Sequence, residues 1–458
     1  MKIFILNPCL FTGKLNRLAR KRQPLDLAYI ASLLRTKHEI KLVDANALNL
    51  TLEDTIREIK DFNPDIFILT STPIDRWEVP SHSHIKLLIS NLVEIINSID
   101  IPHTIIAGSH GTVMPDWILQ NSNINFVVRG EPELIIDELV TALANGSDTS
   151  AIAGISYWKD NKVVNNPDAM RNAHLDDLPY PSYDLLPMDK YRYTFPDIPK
   201  PFALMMSSRG CPFNCIYCLK EMMKGRYITR TPENVVKEMK YLAENFNIKG
   251  IYFQDWEFLI DKNRVIEICD LIKENNLDIK WGGNARASDV TEDIALKMKE
   301  AGCVRINIGF ETGSQKVLDM AKKQIKLSEV RNAINVCKKL GINIGLYSIL
   351  NLPGETRETI KETEKFLAEN GLKVMCAASL PVPYFKTKLY EMLKDQEGKD
   401  FDWDNLEKFA GRVGVAQPPW LAKIYRFHYK YTYVIGAYYF LTPRFYLQFI
   451  KLVKAKIS

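Results

Sequence analysis

Three cysteines within one short stretch constrain this chain more than any other feature. They stand in Ser207-Ser208-Arg209-Gly210-Cys211-Pro212-Phe213-Asn214-Cys215-Ile216-Tyr217-Cys218, with three and then two residues between them. The apolar run Phe202 to Met206 leads in and reads as a buried strand, and Gly210 and Pro212 force a loop at its end. Three thiols on one short loop can converge on one metal site. Cysteine is the natural ligand of iron–sulfur clusters. Three ligands on a four-iron cluster leave one iron without a protein thiolate, and an open metal position is where a substrate or cofactor binds, by analogy with catalytic zinc. A structural zinc site wants four ligands, usually in pairs two residues apart. The nearest further cysteine is Cys269, so the spacing argues against zinc.

With Tyr217 before the last thiol, the motif resembles the signature of radical S-adenosylmethionine (SAM) enzymes. That resemblance implies a [4Fe-4S] cluster on Cys211, Cys215 and Cys218. It also implies SAM bound at the free iron and cleaved reductively to an adenosyl radical. The other five cysteines, Cys9, Cys269, Cys303, Cys337 and Cys376, form no second triad. This argues against an auxiliary cluster and against the methylthiotransferase branch. Cys269 and Cys337 fall in amphipathic helices and read as packed thiols. Cys376 lies in the last strand.

The first 150 residues alternate strands and helices. Strands are expected at Lys2–Asn7, Glu39–Asp44, Asp65–Ser71, His103–Gly108 and Phe126–Gly130, and helices at 25–37, 52–62, 85–98 and 132–145. This pattern predicts a doubly wound parallel sheet that binds ligands at the carboxyl ends of its strands. Those ends are Asn7-Pro8, Asp44-Ala45, Thr70-Ser71, Gly108-Ser109-His110 and Gly130-Glu131. The order of Pro24-Leu25-Asp26-Leu27-Ala28-Tyr29, Val43-Asp44-Ala45, Ala107-Gly108-Ser109-His110 and Val128-Arg129-Gly130-Glu131-Pro132-Glu133 resembles the Rossmann-like cobalamin-binding domain ahead of many radical SAM cores. The resemblance makes Asn7, Pro8, Thr70, Ser71, Gly108, Ser109, His110, Gly130 and Glu131 candidate cobalamin contacts. An Asp-x-His-x-x-Gly motif is absent, so cobalamin is expected without a protein histidine on cobalt. A degenerate domain that binds nothing is the competing reading. The basic run from Lys14 to Arg22 reads as a solvated loop or as a contact to an anionic surface.

Residues 149–200 read as a hairpin, Gly154–Trp158 with Lys162–Val164, followed by a Pro- and Asp-rich linker. From Pro201 the alternation resumes, with strands expected at 202–208, 250–255, 279–287, 304–311, 343–351 and 374–380. Six units fall short of the eight of a closed barrel. The resemblance implies the partial (β/α)6 barrel of radical SAM proteins over residues 201–390. Asp255, Glu257, Asn284, Arg286, Glu311 and Ser348 fall at or near strand ends. Carboxylates suit the ammonium and ribose hydroxyls of SAM, and Arg suits its carboxylate. Capping of the following helices is the alternative role. With Tyr217, these are the candidate SAM contacts. Gly309-Phe310-Glu311-Thr312-Gly313-Ser314-Gln315 and Leu352-Pro353-Gly354-Glu355-Thr356 closely match the cobalamin-type relatives. Asp255-Trp256-Glu257 departs from their usual pair of adjacent aspartates. Pro383-Tyr384-Phe385-Lys386 departs from their usual turn, so Tyr384 and Lys386 either shape the substrate side or make a different turn.

Residues 391–458 form a basic, aromatic helical region. From Leu421 the tail holds seven Lys/Arg, no Asp or Glu, and 11 aromatic residues; the remaining 420 residues carry 53 basic against 55 acidic side chains. Basic character is thus confined to the tail, which argues against a nucleic-acid partner. The tail suits either a membrane interface or a helical cap on the barrel. Its uncharged part, 431–443, is shorter than the roughly 20 apolar residues of a membrane span. At 458 residues with 46% apolar and 25% charged, two or three globular domains are expected. The short apolar start ending at Pro8 does not resemble a signal peptide, and the unpaired cysteines suit a reducing cytoplasm.

The resemblance, over residues 1–390, implies a cobalamin-dependent radical SAM enzyme, with a methyltransferase as the first reading. One SAM would methylate cobalamin, and a second would give the radical that activates an unreactive carbon. A radical cyclase or carbon–carbon bond-forming enzyme acting on a lipid or tetrapyrrole, and a non-catalytic cobalamin- or ligand-binding protein, are the alternatives. A flavodoxin- or ferredoxin-type electron donor and a small-molecule or lipid substrate are the expected partners, with peripheral membrane contact through the tail.

Overall fold

The computed structural model describes residues 1–9, 21–72, 82–191, 195, 197–223, 226–371, 377–379, 381 and 383–398. The tail from 399 onward, Lys14 to Arg20 of the basic run, and Cys376 lie outside the described residues.

The amino-terminal sheet runs through β1 (Lys2–Asn7), β2 (Glu39–Asp44), β3 (Ile66–Thr72), β4 (His103–Gly108) and β5 (Phe126–Val128). These strands pair in parallel in the order β2-β1-β3-β4-β5. They form because their runs are apolar on both sides; Phe4, Leu6, Phe67 and Leu69 meet one helical layer, and Ile3, Ile5, Ile66 and Ile68 the other. Each large side chain fully withdrawn from water contributes roughly 1.5–3 kcal/mol. Helix ends follow local chemistry. Thr51 and Asp54 form a capping box for Leu52–Phe62, and Asn63 ends that helix in the left-handed region.

The predicted hairpin forms as β6 (Ile155–Lys159) and β7 (Lys162–Asn165). It joins the first sheet, with β6 antiparallel to β5, and completes seven strands. The linker that follows is stitched to both sides. Tyr191 donates from its hydroxyl to Asp44 (2.8 Å), and Tyr183 donates to Glu238 (2.7 Å). Leu175, Tyr183, Leu186 and Ile198 share one continuous core with the first sheet and the barrel.

The barrel begins with β8 (Phe202–Met205), followed by the short antiparallel pair β9 (Ser208–Arg209) and β10 (Ile228–Thr229). Then come β11 (Gly250–Phe253), β12 (Lys280–Ala285), β13 (Cys303–Glu311), β14 (Asn343–Ile349) and β15 (Ala377–Ser379). Six parallel strands run in the order β15-β14-β13-β12-β11-β8. The expected strands are present, most of them trimmed by a residue or more at an end. Among the described residues, no helix is long and apolar enough to cross a membrane.

Candidate active site

The cysteine loop is rooted by hydrogen bonds that the strand end itself supplies. Asp255, just past β11, accepts from the backbone N–H of Ser207 (2.8 Å) and from the hydroxyls of Ser207 and Ser208 (2.5 Å each). Burial raises the pKa of this carboxyl, while Arg264 and the two serines work the other way. Gly210 has φ +85°, and a Cβ there would stand 1.9 Å from the carbonyl oxygen of Arg226, so glycine is required. Between the thiols, the N–H of Ile216 donates to Ala321 O (3.1 Å), and its carbonyl accepts from Leu389 N (2.9 Å). Ile216 and Tyr217 pack with Leu389, Tyr390 and Tyr384.

Cys211 is buried, and Cys215 and Cys218 are half-buried. Burial pushes the Cys211 thiol up to about 11 and the Cys218 thiol up to about 12, with Glu257 adding to the first and Cys215 to the second. Thiols this reluctant to ionise need a metal to become thiolates. Among the described residues, no three metal-binding side chains are gathered tightly enough for one ion. A four-iron cluster instead spreads its ligands over separate irons.

Around the loop lie buried polar atoms without hydrogen-bond partners. These are the Tyr217 hydroxyl, Glu257 Oε2, Arg286 Nε and Nη1, Ser314 Oγ and Ser348 Oγ. Arg286 Cζ lies over the Phe213 ring, 3.5 Å from its centroid, and its Nη2 donates to the carbonyls of Lys323 and Gln324. Glu311 stands at φ +62° beside a register shift in β13, a strained backbone that only surrounding structure sustains. Its Oε1 accepts from Lys323 Nζ (2.9 Å) in a buried ion pair. Burial pulls the Lys323 ammonium down, but Glu311, Cys215 and Glu257 more than reverse this, so it stays above the ordinary lysine value. Burial pushes Glu257 up to about 7, with Lys323 and Arg286 opposing the shift. The Tyr217 hydroxyl is raised by burial and by the neighbouring Glu311 carboxylate. A buried orphan polar atom costs about 1–3 kcal/mol, and this set holds donors and acceptors of both charge signs. That is the complement of a ligand carrying an ammonium, a carboxylate and hydroxyls, so the residues fit SAM.

Besides Glu311 and Arg286, two more of the predicted contacts are engaged within the protein. Asp255 holds the loop's root. Asn284 accepts from the Tyr252 hydroxyl (2.7 Å) and donates to Asp255 O (2.9 Å). Asn307 donates to that same tyrosine (2.5 Å), and Arg305 donates to Asn307 (3.0 Å) and pairs with Asp197 (2.9 Å). This ladder runs through the barrel from the linker to the cysteine loop. Sequence reasoning missed Lys323, because Lys322-Lys323-Gln324 reads as a solvated run. It also missed Phe213 and Ser314. At Lys386 the turn has φ +66°, and Thr387 caps the helix Lys388–Glu397.

The first sheet gathers Asn7, Pro8, Thr70, Ser71, Gly108, Ser109, His110 and Gly130 at one edge, at and beside the β1/β3 switch point where such sheets bind ligands. Asn7 donates to Asp44 (2.9 Å), and Ser71 donates to Ala107 O (3.1 Å). Among the described residues, no atom lies within 4 Å of where a Cβ on Gly130, at φ +86°, would sit. Glu131 is turned to Arg171 (2.7 Å). Small residues and a positive-φ glycine at the strand ends fit a large ligand lying close to the backbone, as cobalamin requires.

Comparison with known proteins agrees with this geometry. Residues 205–367 match the Radical SAM superfamily, and residues 16–140 match the B12 binding domain. An uncharacterized methyltransferase of Pyrococcus horikoshii is 34% identical over 393 residues, covering 85% of this chain and 83% of the relative. An anaerobic magnesium-protoporphyrin IX monomethyl ester cyclase of Rubrivivax gelatinosus is 29% identical, covering 88% of this chain and 72% of the relative. The cobalamin-dependent SAM radical enzyme OxsB, solved with aqua-cobalamin and SAM bound, shares the fold at TM-score 0.70 and 20% identity; the match covers 87% of this chain but only 62% of that one. The radical SAM methyltransferase TsrM from Kitasatospora setae matches at TM-score 0.67 and 17% identity, covering 86% of this chain and 76% of that one.

Proposed function

The chain belongs to the radical SAM superfamily and carries a B12 binding domain, and from this premise we propose that it transfers a methyl group from SAM to an unactivated carbon of an apolar substrate. It is a cobalamin-dependent radical SAM enzyme whose cofactors are a [4Fe-4S] cluster, SAM and cobalamin.

The observation that carries the reading is the docking of the cysteine loop onto the strand-end edge of the first sheet, through Arg209 and Glu133 (2.6 Å). A cluster held by the loop and cobalamin held by the sheet edge would then share one reaction space. When bound, the cluster supplies an electron to split SAM, and cobalamin carries the methyl group. The protein's residues bind and orient. Cys211, Cys215 and Cys218 hold the cluster. Arg286, fixed by Phe213 and two carbonyls, is set to receive the SAM carboxylate. Glu257 and Glu311 are set for its ammonium and ribose, and Tyr217 and Ser348 complete the polar lining. Burial keeps water from this surface, and no side chain is required as a general acid or base.

The basic, aromatic tail supports an apolar or membrane-held substrate. A flavodoxin- or ferredoxin-type protein in the cytoplasm would supply the electron. The likeness to the Rubrivivax cyclase favours a second reading, radical ring closure. Anaerobic turnover of lipid extracts with SAM labelled in its methyl group separates the two. A product that gains the label supports methyl transfer. A product that has lost hydrogens and carries no label replaces it with ring closure. Failure of cofactor-loaded protein to cleave SAM refutes both.

A further inference from the structure

The boundary between the first sheet and the cysteine loop is tied by two ion pairs, one buried and one partly so. Arg209 stands two residues before Cys211, and its Nη2 donates to Glu133 Oε1 at 2.6 Å, with both side chains at or below 3% exposure. Tyr29 of the first domain lies under that guanidinium, 5.3 Å from ring centroid to Cζ. Glu131 Oε1 accepts from Arg171 Nε (3.1 Å) and Nη2 (2.7 Å), and its Oε2 accepts from Asn172 N (3.3 Å). Arg171 spends its remaining nitrogen on the far side of the cysteine loop, donating to the carbonyls of Met223 (2.9 Å) and Arg226. Both carboxylates follow Gly130, where β5 opens onto the strand-end edge. Both arginines grip the stretch that carries the thiols, one before it and one behind it.

Adhesion between domains does not need such pairs. Withdrawing charged side chains from water is costly, and apolar residues of similar volume commonly hold an interface as well. What a buried charged pair adds is direction, since guanidinium donors in a fixed fork define where the partner carboxylate stands. The direction is set here at the elements that cradle the two cofactors, and neutral contacts reinforce it. Gly210 N donates to Met223 Sδ (3.2 Å), and the Thr112 hydroxyl, which accepts from Gly130 N (2.9 Å), lies 2.7 Å from Met222 Sδ.

We propose that Arg209–Glu133 and Arg171–Glu131 form a positioning clamp that fixes the cysteine loop against the strand-end edge of the first sheet and so sets the separation of cluster and cobalamin. This rests on the reading above that the edge carries cobalamin. The four side chains are positioning residues, since none is placed on a reacting atom.

The test uses the full chain, loaded anaerobically, as wild type and as Arg209→Met combined with Glu133→Leu, an apolar pair that preserves packing. Two properties are read besides iron and cobalamin content. One is the faster relaxation that the reduced cluster imposes on the cob(II)alamin EPR signal, which reports their separation. The other is amide exchange of residues 207–223. In the variant, at equal cofactor content, the relaxation effect drops by about half or more and loop exchange accelerates about tenfold or more, while β1 and β3 exchange as before. Arg209→Lys, which keeps the charge, restores part of the relaxation effect. A fully loaded variant with unchanged relaxation overturns the clamp alone. Wild type that takes up iron but no cobalamin overturns the cobalamin reading, and the clamp's purpose with it. If the double variant does not fold, Glu131→Gln is read in the same way, with a smaller effect in the same direction expected and no effect refuting the clamp.

Discussion

Lys323→Met tests whether the strand-end site is built around a desolvated ion pair. Lys323 Nζ and Glu311 Oε1 are 2.9 Å apart with side-chain exposures of 8% and 6%. At an effective dielectric of about 20, the direct attraction at that distance is about 6 kcal/mol. Much of it offsets the desolvation of the two ions, so the pair's net worth is small. Removing one partner leaves the other buried and uncompensated, which costs about 3–5 kcal/mol. For a barrel of this size that corresponds to a fall in Tm of roughly 6–20 °C. Scanning calorimetry of anaerobic, reduced, metal-free protein measures it. The deficit should persist in 1 M salt, because a buried pair is screened far less than a surface one. Adding Glu311→Gln to Lys323→Met should recover most of the loss, since the stranded charge is gone. A single variant within about 1 kcal/mol of wild type, or a double variant whose losses simply add, would refute the argument.

Other outcomes follow from neighbouring features. Gly210→Ala should prevent iron loading, since its Cβ would collide with Arg226 O at 1.9 Å and φ is +85°; iron and sulfide analysis after reconstitution checks this. Arg286→Lys, which loses the stacked planar fork, should weaken SAM binding by about tenfold or more, read by equilibrium dialysis. Burial raises Glu355 to about 7, with the Asn351 N–H it accepts opposing the shift. The folded state therefore holds this proton more tightly than the unfolded chain, and stability falls as pH rises from about 4.5 to 7, by roughly 3 kcal/mol in all. Glu355→Gln should flatten that part of the Tm-against-pH curve, and an unchanged curve would remove Glu355 as its cause.

What could be read from the residues, and what could not, divides by distance along the chain. The parallel strands were legible because runs such as Ile3-Phe4-Ile5-Leu6 are buried on both faces. Helix ends were legible where a cap is local, as at Thr51 with Asp54. The short helix Ser109–Val113 was not, since Ser-His-Gly-Thr has the composition of a turn. The hairpin was legible, but its pairing of Tyr157 with Phe126 depends on a register no local signal sets. At the site, the thiols, Arg286 and Glu311 stood out through motif and strand-end position. Asp255 also stood out, yet its engagement by Ser207 and Ser208, 48 and 47 residues away, appears only in three dimensions. Lys323 carried no signal at all, because a buried lysine and a solvated one look alike in a basic run.

The clamp also has a history written in synthesis order. Glu131 and Glu133 leave the ribosome 40 residues before Arg171 and 76 residues before Arg209, respectively. At 5–20 residues per second, Glu133 waits about 4–15 s for its partner, long enough for the first five strands to fold as a unit. During that interval the nascent sheet displays two carboxylates at its open edge, hydrated and repelling each other. The thiol loop then arrives as a latecomer docking onto a finished surface. Loading of the loop's thiols would then follow the folding of the first sheet.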